Sequence, residues 1–309
     1  MNIFNVIFFV SLLLALPVSA QCLNENESKS ESGKENHTAE LFTDNNKDCI
    51  AIGQWHVSVA LGGGVLTNPL NGRDNIPLVI IPSISYYGEH FFLENNSLGY
   101  TFKENANIAI SAITQLNREK AFFSKSSFDN VLVDNSFNSI DDLIGPEEDS
   151  RLEQVNANDV EKRQWAIDGG VQINWFIDAN SEIKIKLLHD INQVYNGFNG
   201  QVAYKKLFRF QAINKATFNL TLGANWQSKQ LVDYYYGTRP QQGLSKTQEY
   251  QGSSAVNPFI KLATHYYINQ HWAFKAQLQR EFLASAITAS PLVGDKTIDT
   301  AFVGVVYAF

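Results

Sequence analysis

Methionine occurs once, at the initiator, in a chain of 309 residues. A helical soluble domain spreads its apolar content over Leu, Met and Ala, so this scarcity, beside 21 Phe and 12 Tyr, points to strands. An excess of positive charge is also missing, since 24 Lys and Arg stand against 31 Asp and Glu. Phosphate backbones demand a basic face, which excludes nucleic acid as a partner. Cysteine is limited to Cys22 and Cys49, without zinc-type pairing, and the six His show no HExxH spacing. No metal or other cofactor is expected. Gly62-Gly63-Gly64 opens no helix and so is no phosphate cradle; it eases strand bending or close packing.

Long hydrophobic runs are confined to the N-terminus. Ile3 to Leu16 is almost unbroken but too short to cross a bilayer as a helix. Pro17 breaks it, and Val18-Ser19-Ala20 supplies the small residues of a cleavage site. Residues 1–20 are therefore read as a signal peptide cut after Ala20, although its start lacks Lys and Arg. Lipidation at Cys22 is disfavoured, because Gln21 sits where a small residue is needed. Past residue 20 no stretch of about 18 apolar residues remains to form a spanning helix. The exported chain is then either soluble or crosses lipid as a closed barrel, which pairs every backbone polar group.

Residues 21–52 carry Glu25, Glu27, Glu31, Glu35 and Glu40 among Asn, Ser and Lys. Such a segment has too little to bury and reads as disordered and acidic. Cys22 and Cys49 bracket it. In an oxidising periplasm they either pair and close a loop or stand as two thiols.

From Trp55 onward, over 53–309, the hydrophobic period is two. Trp55, Val57, Val59 and Leu61 alternate with His56, Ser58, Ala60 and Gly62. Phe218, Leu220, Leu222, Ala224 and Trp226 do the same, as do Trp272, Phe274, Ala276, Leu278 and Phe282, with Arg280 as an intruder. A sandwich also alternates, but three details favour a membrane barrel. The apolar stripes end in aromatics, as girdles at two membrane interfaces require. The opposite faces carry Gln, Asn, Lys and Glu, suited to a wet lumen. Connections alternate between short (near 178–181, 212–215 and 269–270) and long (64–76, 117–163, 238–253 and 286–296), the habit of outer-membrane barrels.

Starting upward from the periplasm near Gln54, with descending strands near Pro77, Ser97, Gln164, Phe198, Ser254 and Thr297, every long connection falls outside. The expectation is an all-β fold: a transmembrane antiparallel up-and-down β-barrel of twelve strands, or ten if the weak pieces near 89–95 and 97–102 merge with their neighbours. Such a barrel belongs in the outer membrane of a Gram-negative cell, among its lipid and lipopolysaccharide. The chain ends with Val303, Val305, Tyr307 and Phe309 on one face. This terminal aromatic stripe is similar to the signal read by the barrel-assembly machinery.

The run from Ile76 to Phe102, preceded by the Trp55–Gly64 strand and Asn68-Pro69-Leu70, resembles the MipA/OmpV family of outer-membrane proteins. Asp233-Tyr234-Tyr235-Tyr236-Gly237 and the ending Gly304–Phe309 are similar to it as well, so the likeness extends over roughly 52–309. The resemblance implies a barrel without catalytic residues. It also implies a scaffolding role in peptidoglycan turnover, with a lytic transglycosylase (MltA) and a penicillin-binding protein as partners. A small-solute pore and an adhesin-like surface protein are the alternatives.

One enzymatic alternative rests on residues. His56 and Ser58 share the lumen face of the first strand, and His90 lies near in sequence. Lipid hydrolases of the outer membrane use such a pair, the His removing the hydroxyl proton. Side chains two apart along a strand are separated by roughly 6.5–7 Å, however, and no third positioning residue is evident. Lumen filling is the favoured reading. Asp141, Asp142, Glu147, Glu148, Asp149 and Asp159 are likewise read as a solvated loop rather than a divalent-cation site.

Overall fold

The computed structural model describes residues 53–124, 155–210, 215–239 and 249–309. The leader, the acidic segment with Cys22 and Cys49, and Asp141–Asp149 lie outside the described residues.

Twelve antiparallel strands follow one another around a closed barrel. They are β1 (Trp55–Leu66), β2 (Ile76–Pro77 and Ile80–Tyr87), β3 (Phe91–Glu94), β4 (Ser97–Glu104), β5 (Ile108–Leu116), β6 (Ile167–Asp178), β7 (Ser181–Asp190), β8 (Phe198–Arg209), β9 (Ala216–Gln227), β10 (Ala255–Tyr267), β11 (Trp272–Phe282) and β12 (Thr297–Ala308). The count is twelve because β3 and β4 are separate strands, paired from Phe91↔Tyr100 to Glu94↔Ser97. Asn95, at φ 53°, makes the tight turn between them, a left-handed conformation that Asn tolerates. The barrel closes where β12 pairs with β1, from Ser58↔Ala308 to Leu66↔Thr300.

The alternation has its expected consequence. Leu61, Val171, Val202, Leu222, Leu262, Leu278 and Val303 are exposed on the outer surface, where a water-soluble sheet would hide them. In hydrocarbon that exposure is favourable, and the backbone groups behind it are satisfied by the closed ladder. Aromatics crowd the end carrying the short turns: Trp55 packs on Tyr86 with ring centres 5.0 Å apart, and Trp272 on Tyr307 at 4.8 Å. Phe198, Trp226 and Phe282 mark the other end of the outward stripe. These are the two girdles.

The lumen wall is shaped by one aromatic. Phe302 faces inward from β12 and joins Ala60, Ile76, Leu78 and Ile81 in a small buried cluster. A Cβ on Gly62 would stand 2.8 Å from the Phe302 ring, and on Gly304 2.6 Å. The glycines clear the wall so that the ring can lie along it. Close packing is thus the role of Gly62, as read from sequence. Gly63 faces outward into open space, where an added Cβ would meet nothing within 4 Å.

The long connections leave from one end, and there their described parts fold into a lid. It contains a 3₁₀ turn (Arg118–Phe123), helix α1 (Lys229–Tyr236) and the short helix α2 (Ser285–Thr288). Ser228 caps α1, its hydroxyl accepting from the Leu231 amide. Gly237 leaves the helix in extended conformation. Leu70, Phe122, Phe123, Tyr195, Leu231, Tyr235, Ile287 and Leu292 come from five different connections and form one buried cluster. Burial of each such side chain contributes about 1.5–3 kcal/mol toward holding these connections over the mouth.

Candidate functional site

The lid and the lumen directly beneath it form the candidate site. Polar bonds tie the lid across the mouth. Asn68, in the β1–β2 connection, donates to the Phe122 carbonyl at 2.8 Å, and Asn71 donates to Pro291 at 2.9 Å. Arg163 donates to the Tyr235 and Gly237 carbonyls at 3.3 and 3.0 Å. Segments from opposite walls therefore touch over the lumen.

At the centre stands Glu119, with 2 % of its surface exposed. Gln227 Nε2 donates to its Oε1 at 2.8 Å, and the Tyr236 hydroxyl donates to Oε2. Arg118 lies 3.5 Å from Glu119 and binds both oxygens of the buried Glu281 at 2.7 Å. Burial pushes the Glu119 carboxyl up from its ordinary value, partly opposed by the Arg118 charge and the Tyr236 bond. Burial, then the Glu119 charge, pushes the Tyr236 phenol well up, so it remains a donor.

Below this network lies a cavity of about 320 Å³. Its roof includes Arg118, Glu119 and Leu231, and its walls carry Lys184 and Lys186 from β7, Lys205 from β8 and Lys261 from β10. Five cationic side chains line it against two carboxylates, Glu119 and Glu182. Cross-strand pairing of Glu182 with Lys205, Lys184 with Ala203 and Lys186 with Gln201 brings the basic residues of two strands together. Amides of Gln115, Asn199, Gln201 and Asn225 fill the spaces between.

The sequence-predicted residues fall as follows. His56 and Ser58 both face the lumen, opposite Ser85 and Ser83 of β2. His56 Nε2 is buried without a hydrogen-bond partner among the described residues, so it is not engaged by Ser58. The His90 ring packs on the outward-facing Tyr100 at 5.5 Å, away from that face. Among the described residues no group of His, Cys, Asp and Glu is arranged to hold a metal. Arg280 faces lipid near the lid end, but its Nε and Nη2 donate to the two carboxylate oxygens of Asp299 at 2.5 Å. Val303, Val305, Tyr307 and Phe309 lie in register along β12 and its end, with Val303 and Phe309 strongly exposed. Periodicity missed the lid core and the convergence of lysines. The Ser228 cap before a run of tyrosines was the available local signal for α1.

An apolar exterior, a polar interior and a closed twelve-strand ladder define an integral outer-membrane β-barrel. The family model described as "MltA-interacting protein MipA" matches residues 59–309, and the chain belongs to that family. The chain is 23% identical over 255 residues to the outer membrane protein YiaT of Escherichia coli (strain K12), covering 82% of this chain and 91% of the relative. It is 22% identical over 243 residues to the outer membrane protein Omp26La of Vibrio anguillarum, covering 78% and 81%. Solved barrels with a similar chain path include the CymD monoaromatic hydrocarbon channel, at TM-score 0.38 and 11% identity, covering 84% of this chain and 89% of that one. The translocator domain of the autotransporter NalP from Neisseria meningitidis matches at TM-score 0.38 and 10% identity, covering 82% and 88%.

Proposed function

We propose that this protein is a non-enzymatic scaffold of the outer membrane, acting through the barrel end that carries its short turns and both termini of the barrel domain. The carrying observation is the lid: five connections pack over the opposite mouth around one buried apolar cluster. In barrels the long connections face outward, so the short-turn end faces the periplasm, where murein enzymes work. The family description, MltA-interacting protein, supports a lytic transglycosylase as one partner, and the second partner we propose is a penicillin-binding protein. The route to the membrane is export by a leader cut after Ala20, then insertion by the barrel-assembly machinery. Crosslinking in intact envelopes followed by capture of the barrel tests the reading. Recovery of a lytic transglycosylase supports it, and repeated capture without any murein enzyme sinks it.

The polar chamber supports a second reading, a gated pore for small solutes. Planar-bilayer recording separates the two, because a lidded scaffold gives no reproducible single-channel steps.

A further inference from the structure

We propose that the chamber beneath the lid binds a small solute that carries negative charge together with hydroxyl groups. The chain as a whole is acidic, at −7, yet the chamber collects Lys184, Lys186, Lys205 and Lys261. Strand register places them there, since inward positions recur every second residue and β7 and β8 are neighbours. Lys205 has a carboxylate, Glu182, 4.0 Å away, and Lys186 donates to Gln115 at 3.1 Å. Arg118 is held by Glu281, yet the four lysines still outnumber Glu119 and Glu182. In a confined space of reduced dielectric, that surplus attracts an anion more strongly than a solvated surface would.

A second observation refines the chemistry. Gln227 lines the chamber and is 5 % exposed, and its Oε1 accepts no hydrogen bond. Its orientation follows from the bond that Nε2 gives to Glu119. The free acceptor calls for a donor, and a carboxylate or a fully ionised phosphate monoester offers none; a hydroxyl does. Amides around the wall suit the same hydroxyls. At about 320 Å³ the space lies at the lower end of small-molecule sites, which run from about 300 to 1,000 Å³. A sugar phosphate and a sugar acid both meet these terms.

The inference uses the lid as a roof and needs no protein partner, so it stands or falls separately from scaffolding. Titration calorimetry on the full mature chain in detergent, at low salt, tests it with glucose 6-phosphate, glucuronate, glucose and inorganic phosphate. Heat from glucose 6-phosphate or glucuronate, at millimolar affinity or tighter, is expected, and which of the two binds better identifies the anionic group. Glucose is expected to give none, and inorganic phosphate a weaker response. The variant Lys184→Gln/Lys186→Gln/Lys261→Gln should lose affinity tenfold or more while keeping heat-modifiable migration on a gel. If the triple variant does not fold, the single Lys261→Gln carries the test, with a threefold loss expected. Equal binding of glucose and glucose 6-phosphate, no binding of either anion, or variants that bind as well as the parent would each overturn the proposal.

Discussion

Arg118 Nη2 donates to both carboxylate oxygens of Glu281 at 2.7 Å, joining the β5–β6 connection to the end of β11 across the mouth of the barrel. Glu281 is fully buried, so removing its partner leaves an uncompensated charge. Loss of one member of a buried pair costs about 3–5 kcal/mol. Arg118→Ala should therefore loosen the lid without unfolding the strands. In planar bilayers the parent barrel is expected to stay silent, and the variant to show intermittent steps. A silent variant would mean that the apolar cluster closes the mouth unaided.

The lid also responds to pH through Glu119. Its folded pKa lies above the ordinary carboxyl value because burial disfavours the charge. Between the unfolded and the raised folded value the closed lid binds more protons than the open one, so its stability falls as pH rises through that window. Amide exchange in 229–236, corrected for the intrinsic rate, should thus show less protection at neutral pH than just above the ordinary carboxyl range. Glu119→Gln should abolish the difference. A dependence of opposite sign would show that Arg118 dominates the site.

Phe302 and the inward glycines offer a test confined to the closing seam. A Cβ on Gly62 would lie 2.2 Å from the Val303 carbonyl oxygen and 2.6 Å from Gly304 Cα, both backbone atoms. Gly62→Ala must push β1 away from β12, an overpacking cost of about 1–3 kcal/mol. Gly63→Ala, facing open space, should be neutral within about 0.5 kcal/mol. Urea titration of the folded, heat-modifiable form distinguishes them. Equal stability would show that the seam is more pliable than its geometry.

The strands were legible because their signal is local. Phe218 to Trp226 alternates regularly, and the structure exposes Leu222 and Trp226 outside while Thr221 and Asn225 line the chamber. Even the weak piece near Phe91 stands as its own four-residue strand, which fixed twelve rather than ten. The lid was not legible, because its partners are remote. Glu119 meets Tyr236 across 117 residues and Gln227 across 108, and no window of sequence contains such a pair. Lysine was legible only as a residue type of the polar faces, and Lys184, Lys186, Lys205 and Lys261 were not singled out. Their convergence required the register of β7 on β8 and the later arrival of β10.

Sidedness has its own consequence. Leu222 and Thr221 are neighbours on β9, one facing outward and the other lining the chamber. Arginine on the lipid face near mid-membrane costs about 2–4 kcal/mol, whereas the lumen is wet. Leu222→Arg should lower the denaturation midpoint in bilayers clearly, and Thr221→Glu, whose charge meets Lys205 and Lys261 across the ladder, should leave it nearly unchanged. The same pair examined in detergent separates a membrane effect from a packing effect. If both variants fail alike in both media, the outward stripe does not meet hydrocarbon.

The chain end separates assembly from stability. Phe309 is 75 % exposed, and what holds it in the folded barrel is a 3.0 Å bond from its amide to the Val57 carbonyl and an edge contact of its ring with Tyr307 at 5.0 Å. Substituting Ala keeps the backbone bond and removes one exposed ring contact, worth about 0.5–1.5 kcal/mol. Purified Phe309→Ala should therefore refold into detergent or lipid almost as the parent does. If Val303, Val305, Tyr307 and Phe309 form the stripe read by the assembly machinery, the same variant should accumulate unfolded in growing cells, with folded barrel reduced severalfold. Pulse-chase labelling scored by heat-modifiable migration measures this directly. Unimpaired insertion in cells would remove the assembly role and leave Phe309 as an interfacial aromatic, whereas failure in both settings would make its contact with Tyr307 structural.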